Sequence, residues 1–254
     1  MGGRLAAVLL TVAPLAACAT GAAAPVTTAT SSPAPDGVGR TATPAVVRHV
    51  GALLHAGGDH FCSGTVVGPS LVVTAAHCVA AAPGGPAYDD LEFAPGYRDG
   101  AEPYGLWRST RVTVDPRWTD SADPDLDVAF VALAPRDGRR IADVLGADRI
   151  GFDPPAVGTV RLTGYPKGAD DPTTCVGTSA RESAGQLRIA CTGYGDGTSG
   201  SPWLTGWDPA TGTGTVIGVI GGYRLGGDTD DVSYSPYFGE DVRRLYEQSS
   251  LSSP

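Results

Sequence analysis

The chain has 254 residues, 42% of them hydrophobic and 18% charged, which is enough apolar material for one large domain or two small ones and excludes disorder throughout. With 36 Gly and 21 Pro it holds more turn formers than a helical bundle bears, and its apolar runs are short and β-branched, so many short strands joined by turns are predicted. A formal net charge of −9 excludes nucleic acid as a partner, because an acidic surface repels a polyanion.

Met1–Arg4 supply a positive start and Leu5–Ala17 an apolar stretch of about 13 residues, short of the roughly 20 that span a bilayer. Residues 1–17 therefore read as a cleaved export signal. Leu15-Ala16-Ala17-Cys18 resembles the lipobox of bacterial lipoproteins, in which the cysteine is acylated and becomes the new N-terminus. That resemblance implies a lipid at Cys18, through which alone the protein touches the outer face of the cell membrane. The alternative is ordinary cleavage near Ala24 and secretion, although Pro25 is a poor first residue for that cut. Both place the protein outside the cytoplasm. Residues 18–44 are almost wholly Ala, Thr, Ser, Pro and Gly and read as a flexible tether or pro-segment.

Four further cysteines, Cys62, Cys78, Cys175 and Cys191, lie in a compartment where disulfides persist. Three pairings are possible. Sequence proximity favours Cys62 with Cys78 and Cys175 with Cys191, each closing a loop worth roughly 3 kcal/mol. A zinc site lacks the close C-x-x-C spacing it would use, so no metal is expected, and no cofactor either.

Leu71–Thr74 reads as a buried strand that ends close to His77, beside Cys78, and a general base needs such rigid placement. On its own a histidine here is as readily structural as catalytic. The other three, His49, His55 and His60, read as polar surface or turn. Gly195–Pro202 is a glycine-crowded turn around Ser199, the setting a nucleophilic serine needs if backbone N–H groups are to meet an oxyanion. The nucleophile-elbow pattern G-x-S-x-G is excluded, because Ser201 stands at its second glycine. In Gly239–Gln248, Val242, Leu245 and Tyr246 recur at helical spacing behind Glu240 and Asp241, which predicts a closing helix.

Thr74-Ala75-Ala76-His77-Cys78, preceded by Cys62-Ser63-Gly64-Thr65, resembles the histidine region of the trypsin/chymotrypsin family, including the cysteine spacing of its histidine-loop disulfide. Gly197-Thr198-Ser199-Gly200-Ser201-Pro202 resembles the family's serine motif in its bacterial glutamyl endopeptidase-like form, and the order His, Asp, Ser is the order of this fold. The likeness spans roughly residues 45–246. It implies an all-β fold of two six-stranded antiparallel barrels, residues about 45–135 and 150–235, with a C-terminal helix and a tail over 247–254. It also implies a monomeric serine endopeptidase acting on polypeptides with His77, Asp127 and Ser199 as its triad. Within Asp125-Leu126-Asp127-Val128-Ala129, Asp127 fits the family pattern of an aspartate followed by an apolar and a small residue, whereas Asp125 and Asp123 read as a solvated turn. The oxyanion would meet the N–H groups of Gly197 and Ser199. A silent binding module on the same fold, or an esterase with the same triad, are the rival readings.

Two departures stand out. Thr198 replaces the aspartate that receives a new N-terminus when the animal enzymes are activated, and no Ile-Val-Gly-Gly start is present, so that activation route is not expected. Ile217–Tyr223 resembles the strand that pairs with an extended substrate, which makes Ile220, Gly221 and Gly222 candidate substrate-binding residues. Neither acidic nor basic specificity carries over, since no histidine follows His77 and Gly193 stands where a pocket-floor aspartate would be. Asp228, Asp230 and Asp231 could approach the pocket from a loop but read first as a solvated turn, as do Asp170 and Asp171.

Overall fold

Short β-branched runs become strands that bury one or both faces. The computed structural model describes residues 2–3, 37, 39–43, 47–80, 85–169 and 171–251. The chain divides into a unit over Met1–Ser32, of which only Gly2 and Gly3 are described, and a unit over Pro33–Pro254 that carries everything below. The export signal apart from Gly2 and Gly3, Cys18, most of the tether and Asp170 lie outside the described residues.

The first strand is Arg40–Thr41 (β1). Val50–His55 (β2), His60–Gly68 (β3), Leu71–Thr74 (β4), Leu91–Pro95 (β5), Trp107–Val114 (β6) and Ala129–Leu133 (β7) close a barrel in the order β2-β3-β4-β7-β6-β5, with the helix Pro116–Ser121 (α1) between β6 and β7. Closure removes the edges that a sheet of this size would otherwise expose. Its interior is filled by Leu53, Val66, Val72, Phe93, Trp107 and Val131.

After the short helix Ile141–Leu145 (α2) come Arg149–Ile150 (β8), Gly158–Gly164 (β9), Thr173–Arg181 (β10), Gln186–Ala190 (β11), Pro202–Asp208 (β12), Thr213–Val219 (β13) and Val232–Pro236 (β14). They form a second sheet in the order β14-β11-β10-β9-β12-β13-β8, and β1 pairs with β10. Thus Arg40 and Thr41, inside the stretch expected as a tether, lie in register with Thr174 and Thr173. Trp203, Leu162, Leu187 and Ile217 pack this half around the Cys175–Cys191 disulfide.

A third cluster joins the halves: Leu71, Val73 and Phe130 of the barrel meet Leu204, Val216 and Val219 of the sheet. The C-terminal helix Glu240–Leu251 (α3) closes over it through Val242 and Leu245, running a turn into the predicted tail. Acidic Glu240 and Asp241 sit at its positive N-terminal end.

Asp148 lies in the same seam, 3% exposed. Its carboxylate accepts from Thr65 Oγ1 of β3 at 2.8 Å and from the Gly214 N–H of β13 at 2.9 Å. Burial pushes its pKa up to about 6, against the lowering effect of those two hydrogen bonds. Two histidines read as polar surface or turn are buried, although His49 does lie in a turn. His49, 1% exposed, has its Nδ1 3.3 Å from the Gly212 carbonyl, and His60, 6% exposed, lies among Tyr97 and Tyr165 with Nε2 3.1 Å from the Pro166 carbonyl. A backbone carbonyl meets a ring nitrogen of each, an interior placement that sequence pattern did not reveal. His55, by contrast, is half exposed and pairs with Asp90.

Candidate active site

The fully buried strand β4 carries the chain to Ala75, whose extended backbone turns into a 3-10 turn over Ala76–Cys78 with His77 at its centre. The Cys62–Cys78 disulfide, Cα–Cα 6.1 Å, pins that turn to β3. His77 is thereby held by the backbone on both sides.

Asp127 follows the 3-10 turn Pro124–Leu126, whose N-cap Asp123 accepts from the Asp125 N–H. The carboxylate is fully buried and accepts three hydrogen bonds: the His77 N–H at 2.9 Å on Oδ1, and His77 Nδ1 at 2.7 Å and the Gly222 N–H at 2.8 Å on Oδ2. Three donors around one buried carboxylate are what its desolvation demands. Wherever this carboxylate is ionised and the imidazole neutral, Nδ1 carries the ring proton and Nε2 is the acceptor. Asp125 is not part of this constellation; its Oδ1 accepts from Gln186 Nε2 at 2.7 Å, a tie that its reading as a solvated turn did not foresee.

Ser199 sits at a tight turn. Thr198 donates through both its N–H (3.1 Å) and its hydroxyl (2.6 Å) to the Gly195 carbonyl, and the Ser199 carbonyl accepts from the Ser63 N–H at 2.7 Å. Gly197 has φ 87°, and a Cβ there would stand 2.5 Å from Lys167 N and 2.6 Å from Tyr165 O, so only glycine fits. The Asp196 carbonyl is turned to accept from the Lys167 N–H at 2.7 Å. In a trans peptide the N–H points opposite to the carbonyl, so the Gly197 N–H faces away from Lys167. Neither the Gly197 nor the Ser199 N–H donates to an acceptor among the described residues.

His77, Gly197, Ser199, Tyr194, Ile220 and Asp230 border one cleft of about 480 Å³. Of the residues predicted to bind substrate, Ile220 lines this cleft, whereas the Gly222 N–H is held by Asp127 behind the imidazole. The predicted triad positions and Gly197 are thus brought together. Asp171 pairs with Arg98, and Asp228 with Arg224.

Two residues escaped sequence reasoning. The buried Ser63 hydroxyl donates to the Gly197 carbonyl at 3.0 Å and accepts from the Tyr165 N–H at 2.9 Å, so a side chain of β3 braces the nucleophile turn. Its place in the Cys62-Ser63-Gly64-Thr65 motif was the available signal. Gln186, 4% exposed, bridges the Asp127 turn to Tyr223, and nothing in the sequence marks it.

Among the described residues, the ligating atoms of Cys62, His77 and Cys78 converge within 4.8 Å, but the two sulfurs are bonded to each other and offer no thiolate to a metal. No helix among the described residues is long and apolar enough to cross a membrane.

An extracellular metalloprotease of Bacillus subtilis (strain 168) is 29% identical over 168 residues, covering 65% of this chain and 53% of that protein. The glutamyl endopeptidase of Bacillus licheniformis is 30% identical over 145 residues, covering 56% of this chain and 44% of that one. The chain spans about half the length of the curated relatives it matches. Among solved structures, the protease Anisep from Arthrobacter nicotinovorans superposes with a TM-score of 0.73 at 28% identity, over 84% of this chain and 100% of that one. A thermostable serine protease, AL20, from an extremophilic microorganism gives the same score and identity over 83% and 100%. The sequence profile of the trypsin-like peptidase domain matches residues 62–219, a stretch that holds all four paired cysteines, His77, Asp127 and Ser199. The barrel, the second sheet and that match over more than half of the chain agree: the protein belongs to the trypsin-like peptidase family.

Proposed function

We propose that the protein is an exported serine endopeptidase that cleaves peptide bonds through a Ser199–His77–Asp127 triad and an acyl-enzyme. The observation that carries this reading is the double grip of one buried carboxylate on His77, at its backbone N–H and at Nδ1, which sets the tautomer that leaves Nε2 free to take a proton. His77 Nε2 removes the Ser199 hydroxyl proton as the serine oxygen attacks the substrate carbonyl. The resulting oxyanion is met by the Gly197 and Ser199 N–H groups, each such donor being worth about 2.7–4 kcal/mol in the transition state. The imidazolium, balanced by Asp127, returns the proton to the departing amine. Water then repeats the sequence on the acyl-serine and restores the free enzyme.

Polypeptides are the proposed substrates, supported by family membership and the protease neighbours. Labelling of the mature protein by a fluorophosphonate, abolished by Ser199→Ala, tests the catalytic claim; a folded protein that fails to label, or labels equally without Ser199, would be a silent binding module. Cleavage of a mixed peptide library then separates a peptidase from an esterase. For the export and lipid part, the mass of membrane-extracted protein should show acylation at Cys18, and a soluble chain beginning near Pro25 would refute the anchor.

A further inference from the structure

Beyond the Tyr223–Gly226 bend the chain enters β14 through a tight turn. Thr229 and Val232 face each other in an antiparallel bridge, which puts Asp230 and Asp231 at the tip of that turn. Both are held by their carbonyls to the stretch that leads into the nucleophile. The Tyr194 N–H donates to the Asp230 carbonyl at 3.0 Å and the Cys191 N–H to that of Asp231 at 2.9 Å. Cys191 is tied in turn to Cys175 of β10 by the disulfide. The turn is exposed, as its charge suggested, but its position is set by the strands beside it.

The Asp230 side chain lies across Gly195. A Cβ on Gly195 would stand 2.6 Å from Asp230 Oδ1 and 3.1 Å from Oδ2, so the carboxylate fills the space that a side chain at this position would take. Both residues border the cleft that holds His77 and Ser199. Two cations border it as well. Arg224 is engaged, pairing with Asp228 at 3.0 Å and donating through Nε to the Tyr223 hydroxyl at 3.2 Å. Lys167 lies beside Gly197 on the side turned away from the Gly197 N–H. Asp230 itself has no cation within ion-pair reach among the described residues. The side chain of the residue before the cut branches from the carbon next to the attacked carbonyl. With the oxyanion at the Gly197 and Ser199 N–H groups, that side chain enters between Tyr194–Gly197 and Gly226–Asp230. Gly195, Gly226 and Gly227 place no side chains along this path, and Gly226 and Gly227 hold φ values of 115° and 144° that favour glycine.

We infer that Asp230 determines specificity in this cleft: its carboxylate receives the basic side chain of an arginine or lysine that precedes the cut. This rests on the peptidase reading above. A carboxylate without a cation of its own gains one when such a substrate binds, and no existing ion pair has to break first. A substrate filling the cleft also displaces water that would screen the pair. The test compares kcat/KM for two peptides that differ only before the cut, one carrying arginine and the other citrulline, its uncharged isostere. The wild type is expected to favour arginine about tenfold or more, the size of one hydrogen-bonded charge pair. Asp230→Asn keeps the side chain's size and the turn's main-chain bonds, and should bring the ratio to within about threefold of one. Asp230→Glu should restore a preference for arginine. A wild-type ratio below about threefold overturns the inference without any variant. So does a preference that survives in Asp230→Asn or is lost instead in Asp196→Asn, and so does a peptide library cut after neither arginine nor lysine. Labelling of wild-type Ser199 by an uncharged fluorophosphonate keeps the two readings apart. A protein that labels and cleaves without preferring arginine loses the inference alone; a folded protein that neither labels nor cleaves loses the peptidase reading and the inference with it.

Discussion

Replacing Asp148 with Asn should raise the stability of this protein above pH 6 and leave it almost unchanged near pH 4. The folded chain holds the Asp148 proton more tightly than the unfolded chain does, because burial pushes the pKa up to about 6 from an ordinary 3.8. The stability that neutral Asp148 contributes is therefore complete below about pH 4 and is lost as pH rises through about 6. At about 1.4 kcal/mol per pH unit, the gap between 3.8 and about 6 amounts to about 3 kcal/mol. Asn carries no such penalty, and its partners can be met again. Its oxygen accepts from the Gly214 N–H, its amide donates to Thr65 Oγ1, and the Thr65 hydroxyl turns to the His49 carbonyl, 3.1 Å away. The assay is denaturant unfolding of wild type and variant, disulfides intact, at steps from pH 4 to pH 8. Burial lowers the pKa of His49 and imposes the opposite slope, but it is common to both proteins and cancels in their difference. The variant should gain about 2–3 kcal/mol at pH 8, roughly 4–12 °C in Tm for a domain of this size. A difference that stays constant within about 0.5 kcal/mol across the range would refute the reasoning.

Asp127→Asn should keep the fold and cut turnover about 10⁴-fold, since an amide cannot accept from all three donors and must drive His77 into the wrong tautomer; steady-state peptidase rates beside circular dichroism check this. Gly197→Ala forces a Cβ into the Lys167 and Tyr165 backbone at a positive φ, so kcat should fall about 100-fold or more with KM little changed. Ser63→Ala strips the Gly197 carbonyl and the Tyr165 N–H of their partner, and we expect a loss of about 1–3 kcal/mol in unfolding free energy together with a lower kcat at constant KM. An unchanged kcat in a destabilised Ser63 variant would reduce that hydroxyl to a purely structural brace.

Local pattern was sufficient wherever a residue's role depends on its chain neighbours. Leu71–Thr74 is apolar and β-branched whatever surrounds it, Gly197 and Gly200 announce a turn that tolerates positive φ, and Asp123-Pro124 starts the turn that delivers Asp127. Proximity in sequence likewise favoured, among three possible pairings, the two bridges that the structure contains. The closing helix was legible because three apolar residues recur at its period.

What only the tertiary structure decided are contacts between residues far apart in the chain, where no local periodicity carries information. Gly222 meets Asp127 across 95 positions, and the Ser63 hydroxyl meets Gly197 across 134. Gln186 gained its place because the Pro124–Leu126 turn and the Tyr223–Gly226 bend both came to lie against β11. His49, His60 and Asp148 are buried for the same reason: each meets a residue distant in the chain, Gly212, Pro166 and Gly214 respectively. The sequence by itself therefore determined which side chains could do chemistry and in what order they occur. Which of their hydrogen-bonding groups face a substrate, and which are held by the protein itself, followed from packing, because a buried N–H or carboxylate takes its partner from whatever element folding brings against it.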